Sequence, residues 1–515
     1  MDSRFVIHRE VWEKPVVMSA WELNFKTAES ESWVLASWLF LRLLGLIYLA
    51  AFVSLATQIR GLVGRAGILP AAEFLDRHRH WGFRRFYRLP TLCWLGASDG
   101  ALSFLCWGGA GLAMLLTVGL APLPVSILLW IFHLSLFTVC RIFLCYQWDL
   151  LLLETGFLAI LLTPIAIMPQ FPPVTAPSRV ILWLFWWLLF RLMFSSGVMK
   201  LRHGDTSWRN LTALRHHYET QPLPTRMGWM AHQLPLWCHQ TSTVIMFAIE
   251  LVAPFLIFAP VPLRHLAAAM FLVFMALIQL TGNYGIFNLL GGALAVLLFD
   301  DKILLPVFQK LCGVTLPMPF PSGSPGIHWT VATLAVLILA LSFKSLLCQI
   351  RGRPGWPGSL ARLFDLLEPF RLVNSYGLFA VMTRGRPEII IEGSEDGVNW
   401  REYEFKWKPG DVKRAPRFAG PHLPRLDWQM WFAAQEPETR SGWFDRFLER
   451  LLTCSPSVLS LLRKDPFPQG PPRHIRVVSY GYCFTNWKEH SATQHWWQRQ
   501  PRLTSLMMAH SAGKR

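Results

Sequence analysis

Apolar positions in the first two thirds of the chain fall in long unbroken runs, whereas from about residue 368 onward they become short and alternating. Two kinds of structure therefore share one polypeptide. A helix needs about 18 or more apolar residues to cross a hydrocarbon core about 30 Å thick. About nine segments meet or approach that length, at 33–56, 101–120, 123–146, 150–168, 180–199, 241–259, 266–280, 284–299 and 329–347. The seventh and eighth are short, and TGNY (Thr281 to Tyr284) between them reads as a tight turn. The pattern predicts an α-helical polytopic membrane bundle over 33–348, with polar loops at 58–97 and 201–240, preceded by an N-terminal extramembrane segment, 1–32.

The Gly- and Pro-rich stretch GRPGWPGS lies in a predicted linker, 349–367, and a soluble domain follows over 368–515. There PEIIIEGSEDGVNWREYEFKW reads as strand, Asp-Gly turn, strand, and IRVVSYGYCF as a further strand. The segment 443–462 is helical by period, and LDWQMWFAA reads as an alternating strand. The expected product is a small β-rich, sandwich-like domain with one or two helices.

Composition agrees with a membrane protein: 53% of residues are hydrophobic and 16% charged, against about 25% charged in soluble domains. A net charge of +17 suits anionic lipid or membrane orientation better than nucleic acid, since zinc-finger, RNA-binding and helix-turn-helix signatures are absent. The nine cysteines show no CxxC and no zinc spacing, so neither a metal site nor a disulfide framework is expected. The first 33 residues carry six acids and no apolar core, unlike a cleavable signal peptide. With nine spans, both arginine-bearing loops and the C-terminal domain share one side, which the positive-inside rule calls cytoplasmic.

The densest polar stretch runs from Phe190 to Thr225. Lys200 closes a span behind Ser195, Ser196 and Gly197, where it could be desolvated and act as a base; the plainer alternative is a lysine snorkelling to the interface. Asp205, His217 and Glu219 are its candidate proton partners, although an interfacial loop carries such residues as a matter of course. Arg42, Glu154, Arg191 and Glu250 are intramembrane charges, expected to form structural ion pairs such as Arg191 or Arg42 with Glu154 or Glu250. No GxSxG, Walker, GxGxxG or HExxH motif occurs, and no cofactor is implied.

Several stretches, among them YQWDLLLLETGFLAI, LLFRLMFSSGVMKLRHGDTSWRNLTALRHHYETQPLP, LTGNYGIFNLL, RPEIIIEGSEDGVNWREYEFKWKPGD and PRLDWQMWFAA, resemble the lipase maturation factor family. The resemblance implies a chaperone-like membrane protein that assists folding, assembly and secretion of lipases or other exported proteins. It further implies a C-terminal domain facing the lumen of the endoplasmic reticulum in eukaryotes, contrary to the positive-inside vote. The tight span spacing also suits a bacterial member in the cytoplasmic membrane. Trp400, Trp428 and Trp431 are candidate client-binding aromatics, unless they pack within their own domain.

Locally, SGVMKLRHGDTSW is similar to the stretch around the base lysine of vitamin K-dependent γ-carboxylase. That likeness implies the alternative function: a membrane enzyme acting on a lipid or quinone, with Lys200 as base.

Overall fold

A computed structural model describes residues 32–169, 171, 176–313, 325–352, 358–435 and 442–510. The expected N-terminal segment thus lies almost wholly outside the described residues. The membrane part is built from α1 (Val34–Ala56), α2 (Asp99–Val118), α3 (Pro122–Cys140), α4 (Gln147–Leu162), α5 (Arg179–Arg202), α6 (Ala213–Thr220), α7 (Leu236–Phe247), α8 (Val261–Thr281), α9 (Phe287–Val296) and α10 (Pro325–Arg351). Among the described residues, seven helices are long and apolar enough to cross a membrane. The chain is an integral membrane protein.

The expected count of about nine spans is corrected at two places. The 150–168 segment overlaps the 16-residue α4, which starts at Gln147 and ends at Leu162, and 284–299 contain the 10-residue α9. Both are apolar but shorter than a spanning helix. Tyr284 and Gly285 lie beside the segment docked at the C-terminal end of α1, since a Cβ on Gly285 would meet Leu423, whose amide bonds Ser54. Asp301, beyond α9, caps the opposite end: its carboxylate accepts the Val34 and Leu35 amides at 2.9 Å each. These amides are among the four that a helix N-terminus leaves without intrahelical partners.

Local chemistry explains the other breaks. Ser98 caps α2, and Gly119 ends it in the left-handed conformation at φ +88°. The span that starts with α7 widens into a π turn at Ala248–Val252 just before Pro254. A proline ring clashes with the carbonyl four residues earlier, and the wider turn relieves that contact. Glu250 sits in this turn.

The predicted linker contains a helix, α11 (Gly358–Leu367). Beyond it come β1 (Arg386–Ser394), β2 (Arg401–Glu402), β3 (Glu404–Phe405), α12 (Arg425–Gln435), α13 (Gly442–Leu452), β4 (Leu462–Lys464), β5 (His474–Phe484) and β6 (Trp497–His510). The main sheet is antiparallel in the order β2-β1-β5-β6, with Ile390 opposite Val478, and β3 pairs with β4 separately. One four-stranded sheet and a two-stranded ladder thus replace the expected sandwich. LDWQMWFAA is helical, in α12, and not a strand. Every residue of β1 is buried, with α12 packed against the strand.

Candidate functional site: the seam between bundle and C-terminal domain

Buried charge concentrates where the C-terminal region meets one end of the bundle. Asp149, in the first turn of α4, receives both Nη atoms of Arg425 from α12, at 2.5 and 2.7 Å. The same guanidinium donates to the Phe143 carbonyl at 3.0 Å. Next to it, Gln58 accepts the Arg425 amide at 2.8 Å and donates to the Leu423 carbonyl at 3.0 Å. Ser54 on α1 accepts the Leu423 amide at 3.0 Å and meets His422 Nδ1 at 2.9 Å. Residues 422–425 are thereby clamped to the bundle.

A second cluster lies one and a half turns further along α4. Glu154 pairs with Arg191 of α5, and its other oxygen accepts the Asn374 amide at 3.0 Å and the Tyr376 hydroxyl at 2.7 Å. Arg191 also donates to the Asn374 carbonyl at 3.0 Å. A loop from the C-terminal region therefore completes an ion pair of the bundle. Isolated charge at such a place is costly, so each added hydrogen bond offsets desolvation.

The remaining intramembrane charges depart from the expected arginine–carboxylate pairing. Glu250 is held by Lys200, whose Nζ lies 2.7 Å from both carboxylate oxygens and 3.4 Å from the Ser196 carbonyl. Arg42 has no carboxylate partner among the described residues; it donates to the Leu116 carbonyl at 3.4 Å and stacks over Trp38.

Lys200, Asp205, His217 and Glu219 do not converge as one acid–base constellation. The three Lys200 donors are directed at Glu250 and Ser196. Asp205 accepts the Ser207 amide at 2.8 Å and the Met382 amide at 2.6 Å. Burial pulls its pKa up, but these hydrogen bonds outweigh that effect and bring it below the ordinary value. His217 Nε2 lies 3.1 Å from the Tyr284 hydroxyl, which donates to Gln221 at 2.8 Å. Burial, and then nearby Lys200, lower His217 to about 4. Glu219 accepts the Phe484 amide at 2.9 Å, and burial lifts its carboxyl above the usual range.

Lys200 thus joins α5 to the π turn, while Asp205, His217 and Glu219 fasten the polar loop to neighbours, Asp205 and Glu219 to the C-terminal domain. Arg386 of β1 completes the arrangement from the opposite direction. Its guanidinium donates to the Glu219 carbonyl at 2.8 Å, to the Gln221 carbonyl, and to the Pro222 carbonyl at 2.9 Å, at the C-terminal end of α6. A cation there complements the negative end of the helix dipole. Glu388 balances it at 2.7 Å and contacts Lys408 at 2.9 Å.

The three candidate tryptophans differ in their surroundings. Trp428 is 4% exposed; it packs edge-on to Trp148 and donates to the Asn283 carbonyl at 3.2 Å, so its indole is spent on the bundle and not on its own domain. Trp431 is half-buried and donates to the Thr220 carbonyl at 2.8 Å. Trp400 is half-buried beneath the Arg476 guanidinium. None is a freely exposed aromatic.

Residues 35–305 match the lipase maturation factor transmembrane domain, and residues 372–507 match the lipase maturation factor C-terminal domain. The chain belongs to the lipase maturation factor family. It is 37% identical to lipase maturation factor 2 of Gallus gallus, over 90% of this chain and 79% of that protein. Identity to human lipase maturation factor 2 is 36%, over 90% and 81% of the two chains. For human lipase maturation factor 1 it is 32%, over 89% and 85%. No solved structure matches.

In this family member the two matched regions meet at the seam, and several of its residues carry no sequence signal of their own. Gln58, Asn374, Tyr376, Arg386 and Arg425 are separated from their partners across the seam by 164 or more positions. Asn283 of TGNY could have been suspected as a polar turn residue. Its side chain joins three segments, donating to the Leu223 and Arg417 carbonyls at 3.0 and 2.8 Å and accepting the Ala419 amide at 2.6 Å. Among the described residues, no group of three His, Cys, Asp or Glu could hold a metal.

Proposed function

We propose that this chain is a membrane-bound maturation factor that assists folding, assembly and secretion of lipases. The reading rests on similarity across 90% of the chain to proteins named lipase maturation factor. The seam supports a fixed platform for a client: Asp149, Glu154 and the 201–240 loop hold the C-terminal domain against the bundle. The domain bears exposed apolar side chains at Val398 and Trp487, suited to a partly folded protein whose own core is still open. On this reading it faces the secretory side, in the endoplasmic reticulum of a eukaryote or across the cytoplasmic membrane of a bacterium. Trp431, bonded to the Thr220 carbonyl, contributes to client contact only if the seam opens, and half-buried Trp400 only if Arg476 moves off its ring.

A quinone- or lipid-directed enzyme using Lys200 gains no support from four residues that are each engaged elsewhere. The test is the specific activity of a co-expressed secreted lipase with no factor, the intact chain, or Lys200→Arg at matched membrane levels. Rescue by both forms is expected, because arginine preserves the pair with Glu250 but does not release its proton at physiological pH. Failure of the intact chain to raise lipase activity would overturn the proposal.

A further inference from the structure

A groove of about 480 Å³ opens where the end of α8, the polar loop and the C-terminal domain meet. Its walls include Leu280, Met227, Trp407 and Phe418, with Arg226 and Arg417 as its cations. The volume falls in the range of about 300–1,000 Å³ common to small-molecule sites. Both arginines are exposed, and Arg226 is near the Trp496 ring, at 5.7 Å.

The groove is continuous with a surface that faces lipid. Leu266, Val273, Leu277 and Leu280 are each about half exposed or more and recur at helical spacing along α8, a span helix. Leu280 ends that apolar ridge and begins the groove. An occupant meeting both features has acyl chains that lie along α8 and an anionic headgroup that reaches two guanidinium groups. Arginine forks match phosphate oxygens bidentately, and basic pockets at the ends of membrane helices suit anionic headgroups.

We propose that this groove binds the phosphate headgroup of an anionic glycerophospholipid, with its acyl chains against the exposed face of α8. The lipid would bridge the last turn of a span to the loop at 416–418 of the C-terminal domain.

The test uses the full chain in neutral detergent, titrated with phosphatidylglycerol or phosphatidylcholine and read by native mass spectrometry. Phosphatidylglycerol should be retained about tenfold or more over phosphatidylcholine, because the choline cation offsets the phosphate charge and repels the guanidinium pair. Arg226→Gln with Arg417→Gln should abolish that preference, and Arg226→Lys with Arg417→Lys should keep part of it. Arg84→Gln with Arg85→Gln, in another basic loop, is the control and should leave it unchanged. Both Arg226 and Arg417 are exposed, so their replacement leaves the buried seam intact.

Equal retention of the two lipids, or an undiminished preference in the Arg226/Arg417 double variant, would overturn the proposal. So would equally tight binding of inorganic phosphate, which would assign the groove to a free anion, or displacement of the lipid by an acidic client peptide at lower concentration, which would assign it to protein.

Discussion

Replacing Arg425 with methionine removes the cation from Asp149, whose side chain is fully buried. Three hydrogen bonds from the guanidinium disappear, two to the carboxylate and one to the Phe143 carbonyl. A buried carboxylate left without its partner costs about 3–5 kcal/mol, whereas replacing both members with apolar groups of similar volume is often neutral. Hydrogen exchange measured by mass spectrometry on the intact chain in nanodiscs reads this cost as local opening of the seam. Arg425→Met should speed exchange in 372–380 and 422–435 by about 10²-fold or more, since each 1.4 kcal/mol is a factor of ten. The α2 helix, which supplies no hydrogen bond or ion pair to either member among the described residues, should change far less. Asp149→Leu alone should act similarly, and the double variant should return most of the protection, so the two single effects should be far from additive. Strictly additive effects in the cycle would refute the assignment of this pair as the main clamp.

Acidification should loosen the seam. Burial is the leading cause that holds His217, His232 and His422 down to about 4, from 6.5, so the unfolded or undocked form binds more protons as pH falls through that interval, and docking weakens. Glu219, raised by burial, takes up a proton in the folded state and offsets part of the loss. Exchange at pH 7 and pH 5 should reveal this, and His217→Gln with His422→Gln should flatten the dependence. Lys200→Met should destabilise the bundle by about 3–5 kcal/mol by stranding Glu250, with Glu250→Leu restoring stability; denaturation of the purified chain in detergent would show it. Gly156→Ala places a methyl on the Tyr48 hydroxyl and should cost about 1–3 kcal/mol, while Gly111→Ala, with open space around it, should be neutral or slightly stabilising in the same assay.

Hydrophobic periodicity made the membrane class and the position of the β region readable, because long apolar runs have few other uses. It overcounted spans at QWDLLLLETGFLAILL and FNLLGGALAV, since burial inside a bundle and exposure to lipid select the same residues. DWQMW fits a period of two over five positions, yet Leu426, Met430, Ala433 and Ala434 follow a helical period once the window is widened. The charged residues themselves were visible, and so was the pairing of Arg191 with Glu154 as one of several alternatives. Their other partners were not: Asn374 and Tyr376 are 220 and 222 positions from Glu154, and a single sequence holds no record of such distances.

The origin of the clamp has a consequence for biogenesis. Asp149 enters the nascent chain 276 residues before Arg425. At roughly 5–20 residues per second, about 15–55 s of synthesis separate the two. During that interval the carboxylate must stay near the headgroups, keep a proton, or be shielded by the insertion machinery. The membrane bundle therefore reaches its final charge balance only after the C-terminal region has been made and has docked. A chain truncated before α12 would retain an unmatched acid at the helix end, a feature that membrane quality control can recognise and remove.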